Sequence, residues 1–184
     1  MALIEDLIVE MKDTSELMVD LAYSSLLYDS EAIAEEVYML EDRMDELNVA
    51  AQREAIELPQ DKALSVIRLA ICAERIADAA MSIADVMLRD VELHPVLAMS
   101  IRDSNVIITK VRVYGESALV GKTIGGIRLA SETGMWTIAI RRGERWIFGP
   151  DKNTQLQDGD TLICKGPKEG VAHLKALASE SGNR

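Results

Sequence analysis

Residues 101–115, IRDSNVIITKVRVYG, divide the sequence into two halves of different composition. This stretch holds a run of β-branched residues and the first glycine of the chain, Gly115. Residues 1–104 contain no glycine, and all eleven glycines fall in residues 105–184. Glycine-free sequence rich in Ala, Leu, Met and Glu is typical of helices, whereas glycine-punctuated β-branched sequence is typical of strands. We therefore expect two domains, the first all-α and the second a small α+β domain.

The two halves also differ in charge. The first holds 23 Asp and Glu against 8 Lys and Arg, and the second 8 against 12, which gives −11 for the 184 residues. Nucleic-acid binders usually carry a basic face, so we expect no nucleic-acid partner. No apolar run approaches the roughly 18 residues of a membrane span, and the acidic N-terminus lacks a signal-peptide pattern. Cys72 and Cys164 form neither a disulfide framework nor a metal-binding pair, and we expect a cytoplasmic protein.

Apolar residues at helical spacing predict three helices in residues 1–92. The first runs to about Tyr28, the second from Glu31 to the break at Leu58–Pro59, and the third from about Lys62 to Leu88. The second helix carries apolar residues in alternating steps of four and three, as in a coiled coil: Ile33, Val37, Leu40, Met44, Leu47 and Ala51. The third is expected to bury one face: Leu64, Ile67, Ala70, Ile71, Ala77, Met81 and Leu88. Three long helices joined by short turns form an antiparallel bundle.

The remaining sequence predicts a connector and a compact α+β domain. Residues 93–104 are expected to contain a short connecting helix, and residues 105–184 the second domain. Strands are predicted over 106–113 and 161–165, and a hairpin over 135–141 and 145–148. Short helices are predicted over 123–132, with Thr123 as the N-cap, and over 167–177.

Three carboxylates fall within the predicted buried face of the third helix. At about 100° per residue, Glu74, Asp78 and Asp85 lie within about 20° of Ile67. A lone buried carboxylate is costly unless it is paired or ligated. Glu41 and Asp45, one turn apart on the second helix, could share a divalent or transition metal ion with them. In the alternative, these acids face water between subunits or are neutralised by nearby arginines: Arg43, Arg53, Arg68 and Arg75.

The same residues carry a resemblance to a known family. The segment ERIADAAMSIAD, residues 74–85, together with EDRMD, residues 41–45, resembles the helical signature of PhoU proteins. The resemblance covers about residues 3–92, one three-helix unit of a family that duplicates it. It implies that the paired acidic motifs bind metal ions, and that dimerisation restores the six-helix form.

A second resemblance covers about residues 106–178. Its carrying segments are SALVGKTI at 117–124, TIAIRRG at 137–143, GP at 149–150 and LQDGDTL at 156–162, and they resemble the TrkA-C domain of regulators of potassium conductance. The resemblance implies a homodimer with a ligand pocket at the two-fold axis, where some such domains bind cyclic di-AMP. We expect Ile138, Ile140 and Pro150 to form an apolar wall, and Arg141 and Arg142 to meet phosphates. In the alternative, the arginines are solvated and the apolar residues form a dimer core.

These resemblances imply a non-catalytic regulator of potassium or other cation transport. It would sense a small ligand through a dimeric TrkA-C domain and act on the cytoplasmic side of a channel or transporter, peripheral to the membrane. The alternative is a metal-binding PhoU-like regulator of phosphate uptake. His94 and His173 have no evident acidic partner in the sequence, and we expect no enzymatic activity.

Overall fold

The computed structural model of this chain describes residues 2–89 and 106–179. The first segment forms three long helices, as predicted: α1 (Ala2–Leu27), α2 (Glu31–Ile56) and α3 (Gln60–Leu88). Asp29 takes a left-handed conformation (φ 49°), and Ser30 stands at the N-cap position of α2 without a side-chain cap hydrogen bond. The short turns between the helices bring all three against one another. The predicted connector helix over 93–104 lies outside the described residues.

The large side chains in the core of the bundle come from α1 and α2. The coiled-coil residues of α2 are all buried: Ile33, Val37, Leu40, Met44, Leu47 and Ala51. On α1, Met11, Met18 and Leu21 are fully enclosed. The alternating spacing on α2 therefore identified its buried face correctly.

The buried face of α3 differs from the predicted one. Ala70 and Ala77 are buried as predicted, but the face consists of alanines: Ala70, Ala73, Ala77, Ala80 and Ala84. Leu64, Ile71 and Leu88 are exposed instead, and the centre of the buried face lies about 100° from Ile67. Because alanine lets a helix backbone approach its neighbours closely, α3 packs by its small residues. Glu74, Asp78 and Asp85 thus lie beside the buried face, which corrects the prediction that they stand at its centre.

The second described segment forms one antiparallel sheet. Its strands are β1 (Val106–Arg112), β2 (Trp136–Arg142), β3 (Arg145–Phe148) and β4 (Thr161–Pro167), in the order β1-β4-β2-β3. A bulge between Thr137 and Ala139 interrupts the pairing of β2 with β4. Two helices accompany the sheet, α4 (Leu129–Thr133) and α5 (Gly170–Ala178). The core lies on one face of the sheet and includes Leu119, Leu129, Met135, Ile140, Leu156, Leu162 and Leu174.

The predicted helix over 123–132 is largely absent. Thr123 instead forms an isolated antiparallel bridge with Gln155, and the helix begins only at Leu129. Residues 124–128 form turns, and the backbone N–H of Gly125 donates to the carbonyl of Lys152 (2.8 Å), which ties them to the later loop. Thr123 Oγ1 accepts from the N–H of Gly126 (3.1 Å), so its capping capacity serves a turn rather than a helix.

The chain separates into two compact units, residues 1–102, called here the helical unit, and residues 103–184, called here the sheet unit. No helix in residues 2–89 or 106–179 combines the length and apolar character needed to cross a bilayer.

Candidate functional site

Four carboxylates lie near one another on α2 and α3: Glu41, Asp45, Glu74 and Asp78, called here the acidic cluster. Burial and then the negative charges of Asp78, Asp45 and Glu74 raise the pKa of Glu41 to about 7. Its Oε2 atom is buried and has no hydrogen-bond partner. Burial, followed by the charges of Asp78 and Asp45, also raises the pKa of Glu74. The cluster is therefore a site where negative charge is poorly compensated.

Two hydrogen bonds join α2 to α3 at the ends of this region. Asn48 donates through Nδ2 to Oε2 of Glu74, and the hydroxyl of Tyr38 donates to Oδ1 of Asp85. Arg89 also pairs with Asp85 (2.5 Å). The Tyr38 hydrogen bond and the contact with Arg89 lower the pKa of Asp85. The carboxylate of Asp85, two helical turns beyond Asp78, thus has its own partners outside the acidic cluster.

The arginines of the described segments do not neutralise the acidic cluster. Within residues 2–89 and 106–179, no group of three or more His, Cys, Asp or Glu side chains is arranged to hold a metal ion. Arg43 donates to Glu10 (2.7 Å) and Glu46 (2.8 Å) instead, fastening α2 to α1. No lysine or arginine of the described segments forms an ion pair with the four cluster carboxylates. The metal assignment of Glu41, Asp45, Glu74, Asp78 and Asp85 stays a prediction.

Glu41→Gln is expected to stabilise the metal-free protein at pH 8 by about 1 kcal/mol, after allowance for solvent screening. Because the folded-state pKa of Glu41 is raised, the folded state binds more protons than the unfolded state between about pH 4.5 and 7. The parent protein therefore loses stability as the pH rises through this window, and the variant lacks this loss. Urea unfolding followed by circular dichroism at 222 nm, in EDTA, measures the difference.

Glu54→Gln is the matched control, because it makes the same charge change on the same helix away from the cluster. A stabilisation of Glu54→Gln equal to that of Glu41→Gln would show that net charge alone is responsible.

The residues predicted to bind a ligand occupy different environments in the sheet. Ile140 is fully buried in the hydrophobic core. Ile138 and Pro150 are half-buried, and the carbonyl of Ile138 accepts from the N–H of Gly149 (3.0 Å), which places them near each other. Arg141 follows Ile140 on β2, and its partners across the sheet are Trp146 and Thr161. Since strand residues alternate between faces, Arg141 lies on the face opposite the core.

Arg142 is engaged within the unit. Its Nε donates to Oδ1 of Asp160 (2.7 Å), and one Nη donates to Oδ2 of Asp160 (2.8 Å) and to the carbonyl of Gln155 (2.8 Å). Asp160 is 0% exposed and also accepts from the N–H of Gln157 (2.9 Å). These hydrogen bonds tie β2 to the turn before β4. A contact between Arg142 and a ligand is untested and stays a prediction.

Sequence reasoning missed several residues that shape these sites. Asp160 lies in the LQDGDTL segment of the TrkA-C resemblance, and nothing local marks it as the partner of Arg142, 18 positions earlier. Tyr38 and Asn48 carry the contacts from α2 to α3, which depend on how the two helices pair. Of the histidines, His94 lies outside the described residues, and the ring of His173 lies 3.1 Å from the carbonyl oxygen of Glu132.

Comparisons with known proteins identify both units. A family model of the PhoU domain matches residues 8–87, and one of the TrkA-C domain matches residues 108–179. The Ktr system potassium uptake protein A of Vibrio alginolyticus is 37% identical over 62 residues, 33% of this chain and 28% of that protein. The chain thus matches under a third of the length of this curated relative.

Solved structures that resemble the chain include a potassium transport domain and a DNA-bound protein. The C domain of the potassium transport protein KtrA, in complex with cyclic di-AMP, is 25% identical, with a TM-score of 0.36. The match covers 44% of this chain and 93% of the KtrA domain chain. BusR of S. agalactiae, in complex with its promoter DNA, is 18% identical with a TM-score of 0.39, and the match covers 95% of this chain and 98% of that one.

Proposed function

The chain joins a PhoU domain to a TrkA-C domain, and from this pairing we propose that it is a non-catalytic regulator of potassium or other cation transport. The observation that carries the proposal is the TrkA-C match over residues 108–179, which coincides with a complete sheet unit. The similarity to a potassium uptake protein supports the same role. In this proposal the protein acts on the cytoplasmic side of a channel or transporter, peripheral to the membrane.

The sheet unit is the proposed sensor. Two copies would form a homodimer, and cyclic di-AMP is the first ligand to test because some TrkA-C domains bind it at the two-fold axis. The guanidinium group of Arg141, a half-buried residue on the sheet face opposite the core, suits phosphate oxygens, and Ile138 with Pro150 supplies half-buried apolar surface nearby. A ligand that binds one arrangement of the dimer better than another shifts the population between them.

Calorimetric titration of the full chain with cyclic di-AMP tests the proposed function. We expect micromolar binding with one ligand per dimer, and about tenfold weaker binding for Arg141→Ala, because a charge-assisted contact to phosphate is lost. ATP, AMP and NADH are the ligand controls.

Arg145→Ala is the matched control variant, since Arg145 is an exposed arginine of the same hairpin. It is expected to bind as the parent does. No heat with cyclic di-AMP, or equal losses in both variants, would contradict the proposed pocket.

The acidic cluster favours a second candidate function, a metal-binding regulator of phosphate uptake. Its support is the buried, unpartnered Oε2 of Glu41 beside three other carboxylates, since a divalent cation would compensate this charge. In this case the sheet unit would serve chiefly to dimerise the protein. The prediction is a stoichiometric metal ion in the purified protein, measured by elemental analysis and lost in Glu41→Ala and Glu74→Ala. A metal-free parent protein, or metal retained by both variants, would count against it.

A further inference from the structure

One surface of the helical unit combines exposed apolar residues with the acidic cluster. On α2, Asp45, Val49, Gln52 and Ile56 fall within about 60° of one another around the helix axis. On α3, Leu64, Ile71, Glu74 and Asp78 fall within about 80°. The hydrogen bonds from Asn48 to Glu74 and from Tyr38 to Asp85 show that these two sets of residues lie on either side of the line along which α2 contacts α3. We call this surface the α2–α3 groove.

The groove has two chemically different halves. Because α2 and α3 are antiparallel, Tyr38 and Asp85 lie at the same end of the groove. The acidic cluster occupies the half next to them, and exposed apolar side chains occupy the other half. The apolar residues are well exposed: Val49 is 56%, Ile56 74%, Leu64 51% and Ile71 37% accessible. Contiguous exposed apolar surface next to a charged patch is characteristic of an interaction site. Nothing basic in the described segments pairs with the cluster, so its charge is available to a partner.

We propose that the α2–α3 groove binds a basic amphipathic helix of another protein. The groove runs over the 19 residues from Tyr38 to Ile56, a rise of about 27 Å at 1.5 Å per residue, and accepts a helix of about five turns. Such a helix would place apolar residues against Val49, Ile56 and Leu64, and lysines or arginines against the acidic cluster. It would become a fourth helix packed on two others, a recurrent mode of peptide recognition.

Charge complementarity favours this occupant over a second copy of the same groove. Two grooves face to face would set one acidic cluster against another, or against apolar side chains that cannot compensate it. An anionic lipid surface would be repelled by the cluster for the same reason. The inference rests on the proposed function only in taking the helix to belong to the regulated transport protein, whereas the groove itself is independent of the sheet unit and its ligand.

A designed peptide tests the proposal on the full chain. The probe is a fluorescent 18-residue helical peptide. Leucines occupy the half of its length that would lie against the apolar end of the groove, and lysines occupy the half that would lie against the acidic cluster. Its counterpart carries glutamate in place of each lysine. Fluorescence anisotropy is expected to show micromolar binding of the lysine peptide, weakened at high salt, and at least tenfold weaker binding of the glutamate peptide. Absence of binding, or equal binding of the two peptides, overturns the proposal.

Substitutions of exposed residues locate the binding surface. Ile56→Ser and Asp45→Asn are each expected to weaken binding of the lysine peptide about tenfold. Met39→Ser and Leu69→Ser are the matched controls, since both are exposed apolar residues of the same helices, turned away from the groove. Equal effects in the controls overturn the proposal. The proposal is also overturned if Ile56→Ser changes the oligomeric state of the protein, measured by sedimentation, but not its affinity for the peptide. In that case a second copy of the chain would fill the groove.

The two proposals fail separately. Cyclic di-AMP binding is measured by calorimetry on variants of the sheet unit, and peptide binding by anisotropy on variants of the helical unit. A protein that binds the peptide but no nucleotide would keep the groove and lose the proposed sensor.

Discussion

Asp160→Ala is expected to lower the free energy of unfolding of the sheet unit by about 3 kcal/mol. The substitution removes a fully buried carboxylate that accepts two hydrogen bonds from Arg142 and one from the N–H of Gln157. It leaves a half-buried guanidinium and a backbone donor without their partner. Breaking one side of such a pair costs more than the pair contributes, because the remaining charge stays desolvated.

Tryptophan fluorescence measures this loss in the intact chain. Both tryptophans, Trp136 and Trp146, belong to the sheet unit, so a urea titration followed by their emission reports on that unit alone. Arg145→Ala, an exposed neighbour on the hairpin, is expected to change stability by less than about 0.5 kcal/mol. An Asp160→Ala protein as stable as the parent would contradict a structural role for the pair.

The pair also bears on how ligand binding is interpreted. Arg142→Ala is expected to destabilise the unit, so its effect on affinity has to be measured well below its unfolding midpoint. Arg141→Ala, which leaves the Arg142–Asp160 pair intact, is the more direct test of a phosphate contact.

Gly170→Ala is expected to destabilise the same unit by about 3 kcal/mol. A Cβ atom at this position would lie 2.0 Å from the carbonyl oxygen of Thr133 and 3.0 Å from Cγ of Met135. The backbone of α5 would have to shift, and this would disturb the packing of Leu174 and Ala178 in the core. The same fluorescence experiment measures the change.

Gly115→Ala is the control for Gly170→Ala. A Cβ at Gly115 would meet nothing closer than the side chain of Asp158 at 3.4 Å, and its φ lies outside the left-handed region. Its effect is expected to stay within about 1 kcal/mol in either direction. Comparable destabilisation by both substitutions would mean that loss of glycine flexibility, rather than the close approach to Thr133, is responsible.

Local patterns in the sequence predicted most of the secondary structure. The spacing of apolar residues on α2 indicates its buried face, and the break at Leu58–Pro59 indicates where the helix ends. The hairpin around Gly143 is set by a turn whose glycine has a positive φ (61°), which few other residues adopt. The segment 123–132 was misassigned because residues that cap a helix also cap a turn, and the bridge to Gln155 decides between them.

The candidate sites were less predictable, because they depend on pairs of elements. The acidic residues of α3 were noticed by sequence, but their position depends on which face of α3 is buried. Leucine and isoleucine suggested one face, and the close packing of alanines selected another. The stripe of Leu64 and Ile71 thereby became exposed surface, and the α2–α3 groove follows from that choice.

The sequence alone determined the two-part organisation, the three helices and both family resemblances, because glycine content, hydrophobic period and contiguous motifs are local properties of the chain. Only the tertiary structure decided that Arg142 is held by Asp160, that Glu41 is left with a buried, unpartnered oxygen, and that an apolar stripe adjoins the acidic cluster. Each of these depends on a contact between residues far apart in sequence. The free energy of such a contact is set by packing, desolvation and distance, none of which a linear pattern records.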